Sequence, residues 1–129
     1  MGWLKTFTNR YSQQCESNEH HHDTELKTRY YKSNFEQTIR GVEEVFGNKQ
    51  HYEIKSVSKE HGEIFVHSKQ SPALDIIITI ITVRPLETAV DFTVSTEKWS
   101  PMGINKALKK QILAAYDALD QKLPSLRTK

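Results

Sequence analysis

Hydrophobic positions along the chain recur with two different periods, and the changes of period divide it into elements. Phe35, Ile39, Val42, Val45 and Phe46 keep a helical spacing that gathers them on one face. The "SNFE" that opens this stretch fits a capping box, in which the Ser33 hydroxyl accepts from the Glu36 backbone N–H and the Glu36 side chain returns to Ser33. Gly47 supplies a permissive stop. The pattern predicts a first helix from Ser33 to about Phe46.

The period then falls to two. Tyr52, Ile54 and Val57 mark one extended segment, Ile64 and Val66 a second, and the "EHG" at 60–62 between them is turn chemistry, which predicts a hairpin. The β-branched run at 76–83 is a third strand, broken by Arg84 and Pro85. In a fourth, Val90, Phe92 and Val94 alternate with Asp91, Thr93 and Ser95. Ser100 and Pro101 read as an N-cap followed by proline at the first helical position. The stripe Ile104, Leu108, Ile112, Ala115, Leu119 and Leu123 then predicts a long second helix, ended by Pro124, with Lys106, Lys109 and Lys110 on its wet side. The order α-β-β-β-β-α predicts an α+β fold: two layers, a four-stranded antiparallel meander and both helices on one face.

The third strand departs from simple alternation. Ile76, Ile78 and Ile80 are apolar on one side, and Ile77, Ile81 and Val83 on the other. Helices on one face cannot cover both sets. Because a fully buried aliphatic side chain contributes about 1.5–3 kcal/mol, something is expected to cover Ile77, Ile81 and Val83: the N-terminal segment, a second copy of the chain, or a ligand. Asp75 before the run and Arg84 and Pro85 after it are gatekeepers of the kind that flank an unavoidable β-rich segment.

Residues 1–32 are polar and charged by comparison, and read as an arm in front of a single domain at 33–129. Within the arm Trp3, Leu4, Phe7 and Tyr11 recur at helical spacing, which predicts a short amphipathic helix docked on the domain, and Tyr30 and Tyr31 read as further docking contacts. Since the capping box marks an independent start, the domain is expected to fold without the arm. The opening "MGWLKT" formally fits a myristoylation pattern through Gly2 and Thr6, a pattern with too few fixed positions to use.

The arm also carries the one cluster with the look of chemistry, "EHHHD". On extended chain His20 and His22 point to the same side, so His20, His22 and Asp23 are the candidate metal ligands. Structural zinc sites draw on spaced pairs such as Cys-x-x-Cys, which are absent here, and a solvated linker is the simpler reading. His51, His61 and His67 are scattered, without a nucleophile or paired carboxylate beside them.

Composition narrows function by exclusion. With 18 basic against 16 acidic side chains the net charge is +2, too little for a phosphate-binding surface, so no nucleic-acid partner is expected. A single cysteine, Cys15, allows no internal disulfide, and no signal peptide opens the chain, which points to the cytoplasm. The longest apolar run, at 74–83, is well short of the ~20 residues a transmembrane helix needs. There is no Gly-x-Ser-x-Gly, His-Glu-x-x-His or Gly-x-Gly-x-x-Gly, so neither an enzyme nor a cofactor is expected.

The segments "ELKTRYYKSNF", "YEIKSVSKEHGEIFV" and "VRPLETAVDFTVST" resemble small, uncharacterised cytosolic proteins of Gram-positive spore-forming bacteria, over most of 25–123. The resemblance implies a cytosolic bacterial domain and brings no catalytic residue with it. Three hypotheses follow. The first is a non-enzymatic interaction module, a homodimer or partner-binding domain working through Ile77, Ile81 and Val83. The alternative is a small apolar-ligand or lipid-binding domain lined by the sheet and the second helix. A histidine-based enzyme or metal protein is the third.

Overall fold

The computed structural model describes residues 13–69, 73–96 and 104–126. The expected helix of Trp3, Leu4, Phe7 and Tyr11, the Gly2 and Thr6 pattern, the Ser100 and Pro101 start and the Ile104 side chain lie outside the described residues. The fold is one antiparallel sheet of seven strands with two helices. Its strands are β1 (Gln13–Glu16), β2 (Arg29–Tyr31), β3 (Tyr52–Ser58), β4 (Glu63–Ser68), β5 (Leu74–Arg84), β6 (Glu87–Thr96) and β7 (Ser125–Leu126). The helices are α1 (Phe35–Val45) and α2 (Ile104–Lys122).

The expected meander is present as β3-β4-β5-β6, and the sheet continues beyond it to β2 and β7. The four-strand expectation is corrected here. Residues assigned to a detachable arm supply two strands: Arg29, Tyr30 and Tyr31 pair with Val90, Ala89 and Thr88, while β1 pairs with Thr96 to Thr93 further along the same edge of β6. Tyr31 and Leu26 are core residues. These strands are short and polar in composition, so their sequence carries no alternation long enough to reveal them.

Ser17 bridges the gap between β1 and β2. Its N–H donates to the Phe92 carbonyl and its Oγ accepts from the Phe92 N–H, both at 2.9 Å, so one residue's backbone and side chain replace a missing strand pair.

The helices pack on the face of the sheet that carries Ile64, Val66, Ile76, Ile78, Ile80, Val90, Phe92 and Val94, and Ile39, Val42, Leu108, Ile112 and Leu119 complete the core from above. Gly41 of α1 lies so close to Leu123 that an added Cβ would sit 3.2 Å from its side chain. The start of α1 moves by one residue. Asn34 is the cap: its Oδ1 accepts from the Gln37 N–H at 2.8 Å, and the Gln37 side chain accepts from the Asn34 N–H at 3.0 Å. "SNFE" and "NFEQ" both satisfy the box pattern in overlapping frames. Ser33 is buried instead, its Oγ 2.6 Å from that of Thr38 and its carbonyl accepting from the Thr88 hydroxyl.

Turns follow their chemistry where glycine is required. Gly62 has φ 67°, and a Cβ there would stand 2.3 Å from the Ile80 carbonyl oxygen. Among the described residues no helix is long and apolar enough to cross a membrane.

Candidate functional site

The two sides of β5 have different surroundings. Ile76, Ile78 and Ile80 face the helices, as expected. Ile77, expected on an outer face open to a partner, is fully buried, flanked in register by Phe65 and Thr93. Ile81 and Val83 are 54% and 45% exposed, and Leu86 in the following turn is 53% exposed. β4 ends opposite Thr79, so β5 runs on past its neighbour and, with β6, forms a projecting hairpin end.

That hairpin end has an open edge. The Ile80 N–H donates to the Gly62 carbonyl, the last bond on the β4 side; by alternation the Thr82 backbone groups point the same way, with no strand beside them among the described residues. Leu86 sits at φ 60°, a left-handed conformation that costs a leucine about 1–2 kcal/mol. An exposed, strained apolar residue where glycine or asparagine would be easier points to a use for that side chain.

The histidine cluster occupies the connection between β1 and β2. The Asp23 N–H donates to Nδ1 of His21, and the His21 and His22 rings stack at 4.7 Å. Asp23 is committed elsewhere: it caps the 3₁₀ turn Thr24–Leu26, and its Oδ2 lies 2.7 Å from Nζ of Lys109. Glu25 reaches the same ammonium at 2.9 Å. The hydrogen bond from Lys109 holds the Asp23 carboxyl below its usual range. Lys109, read as part of a wet face, therefore pins this connection to α2. Among the described residues no three histidine, cysteine or carboxylate side chains gather as a metal would need. Burial pushes the half-buried Cys15 thiol up, away from the reactive thiolate form.

A second polar group, unforeseen from sequence, lies under the β1–β2 junction. Oδ1 of Asp91 is 2.8 Å from Ser17 Oγ and 2.7 Å from Thr28 Oγ1; Tyr116, from α2, places its hydroxyl 2.8 Å from Ser17 Oγ and donates to the Val90 carbonyl at 2.6 Å. Alongside, Asp120 accepts from Tyr31 at 2.6 Å and from Arg29 at 2.7 Å, and the Arg29 guanidinium covers the Tyr116 ring at 4.6 Å. An open, polar groove of about 390 Å³ runs past Thr28, Arg29, Asp120 and Ser125. The partners come from segments 26 to 99 residues apart, so no local motif announces them.

No protein-family model matches the chain, and no curated protein sequence matches it significantly. Its fold is similar to that of TTHA0849 from Thermus thermophilus, known from a crystal structure, with a TM-score of 0.53 over 85% of this chain and 96% of that one. At 9% identity the likeness is one of fold alone.

Proposed function

We propose that this chain is a non-enzymatic interaction module that pairs with a second copy of itself through the projecting end of the β5–β6 hairpin. The observation that carries the reading is the clustering of exposure: Ile81, Val83 and Leu86, the large exposed apolar side chains among the described residues, all fall on this one hairpin. The open edge beside Thr82 suits an added antiparallel strand, and an edge paired with its own copy about a two-fold axis buries both apolar sets at once. Arg84 and Glu87 face each other across the hairpin, so two such ends brought together in opposite directions meet with complementary charge. A cytosolic bacterial setting is part of the same reading.

A carrier for a small apolar ligand or lipid has less support. The space between sheet and α2 is occupied by Phe92 and Tyr116 in edge-to-face contact at 4.8 Å, with Phe46 against Phe92.

Light scattering on the wild type and on an Ile81→Lys, Leu86→Lys double variant tests the proposal. The expected result is a wild-type dimer and a variant monomer with unchanged circular dichroism, since both positions are exposed. A wild type that remains monomeric at sub-millimolar concentration overturns it.

A further inference from the structure

We propose that Asp91 carries a proton as the first link of a one-way hydrogen-bond chain that fastens the β1–β2 junction to β6 and α2, and that losing this proton loosens the junction. The argument is a count of hydrogens. Tyr116 lies 2.6 Å from the Val90 carbonyl, which has no hydrogen to give, so the hydroxyl hydrogen of Tyr116 is used there. The hydrogen between Tyr116 and Ser17, 2.8 Å apart, then belongs to Ser17. Ser17 Oγ accepts the Phe92 N–H and has no second hydrogen for Asp91 Oδ1, also 2.8 Å away. The hydrogen in that last contact comes from Asp91 itself. Thr28 supplies its own to Oδ1 at 2.7 Å.

With an ionised Asp91, three short contacts, Tyr116 to Val90, Ser17 to Tyr116 and Ser17 to Asp91, would share the two hydrogens of Tyr116 and Ser17. Water cannot fill the gap, because Ser17 is 3% exposed and Tyr116 fully buried. With a protonated Asp91 every contact has one donor and one acceptor, and the chain runs from Asp91 through Ser17 and Tyr116 to the Val90 carbonyl.

The charges around it agree. Burial raises the Asp91 carboxyl, against the pull of the Thr28 hydroxyl, and Glu19 on the β1–β2 connection adds a like charge. From β2, Tyr30 faces Asp91, Glu19 and Glu87 together, and Arg29, the cation nearest Tyr116, is held by Asp120. A carboxyl raised above its ordinary 3.8 gives stability that is fully present below that value and is lost as pH rises through the folded-state midpoint. The junction is therefore tight in acid, and its proton passes to solvent on the partly exposed side of Asp91 as pH rises.

Carbon-detected NMR titration of the full chain tests this. The wild-type Asp91 carboxyl is expected to titrate above 3.8, and amide protection at Ser17 and Phe92, corrected for intrinsic exchange, to fall above that midpoint. In Tyr116→Phe the ring and its burial remain, but Ser17 no longer owes its hydrogen to the tyrosine and can bond the carboxylate. The midpoint is expected to shift down, which burial alone would not produce. A wild-type midpoint at or below 3.8, unchanged protection across it, or a Tyr116→Phe midpoint equal to or above the wild type overturns the proposal. If Tyr116→Phe does not fold, the two wild-type measurements decide alone.

Discussion

Glu63 holds a carboxyl group that is 1% exposed, with no hydrogen-bond partner for either oxygen among the described residues. Buried polar atoms without a partner are destabilising, and an apolar side chain of similar length carries no such cost, so Glu63→Met is expected to raise stability by about 1–2 kcal/mol. Urea unfolding of the two proteins measures it; a less stable Glu63→Met would show that the carboxyl group has a use in the fold. The alternation of Ile64 and Val66 already placed Glu63 on the face away from the helices. What the alternation could not show is that Glu63 is buried there. Distance along the chain hid Asp23 and Lys109, 86 residues apart, and the Asp91 group. Gly62 was legible as a turn residue, since the need for positive φ is settled within three or four neighbours.

Among elements, α1 and the β3-β4-β5-β6 meander were legible because each is long enough for its period to repeat. β1 and β2, four and three residues long, are not. The overhang of β5 was half legible: the doubled apolar pattern was visible at Ile77, Ile81 and Val83, but the pattern does not say that Ile77 is buried while Ile81 and Val83 stay exposed. The turn that closes this overhang gives its own test. Leu86→Gly relieves the left-handed leucine, so the isolated chain is expected to gain about 1 kcal/mol in thermal or urea unfolding. Association is expected to weaken in the same variant, as read by the concentration dependence of the mass. A gain in stability with undiminished association would remove Leu86 from the proposed interface.

At the scale of the molecule, β2 lies between β6 and β7, so the last strand of the segment read as an arm is interior to the sheet. Residues 33–129 alone would lose Leu26 and Tyr31 from the core and leave the edge of β6 uncovered. That fragment is expected to show no cooperative thermal transition by circular dichroism, whereas a sharp transition would mean that the meander and helices suffice. The arrangement also sets a timetable for the ribosome. β2 is made before either of its partners, and it must wait for β6 on one side and for Ser125 and Leu126 on the other. Until β6 is made, Tyr31 has no core to enter and β2 stays unpaired.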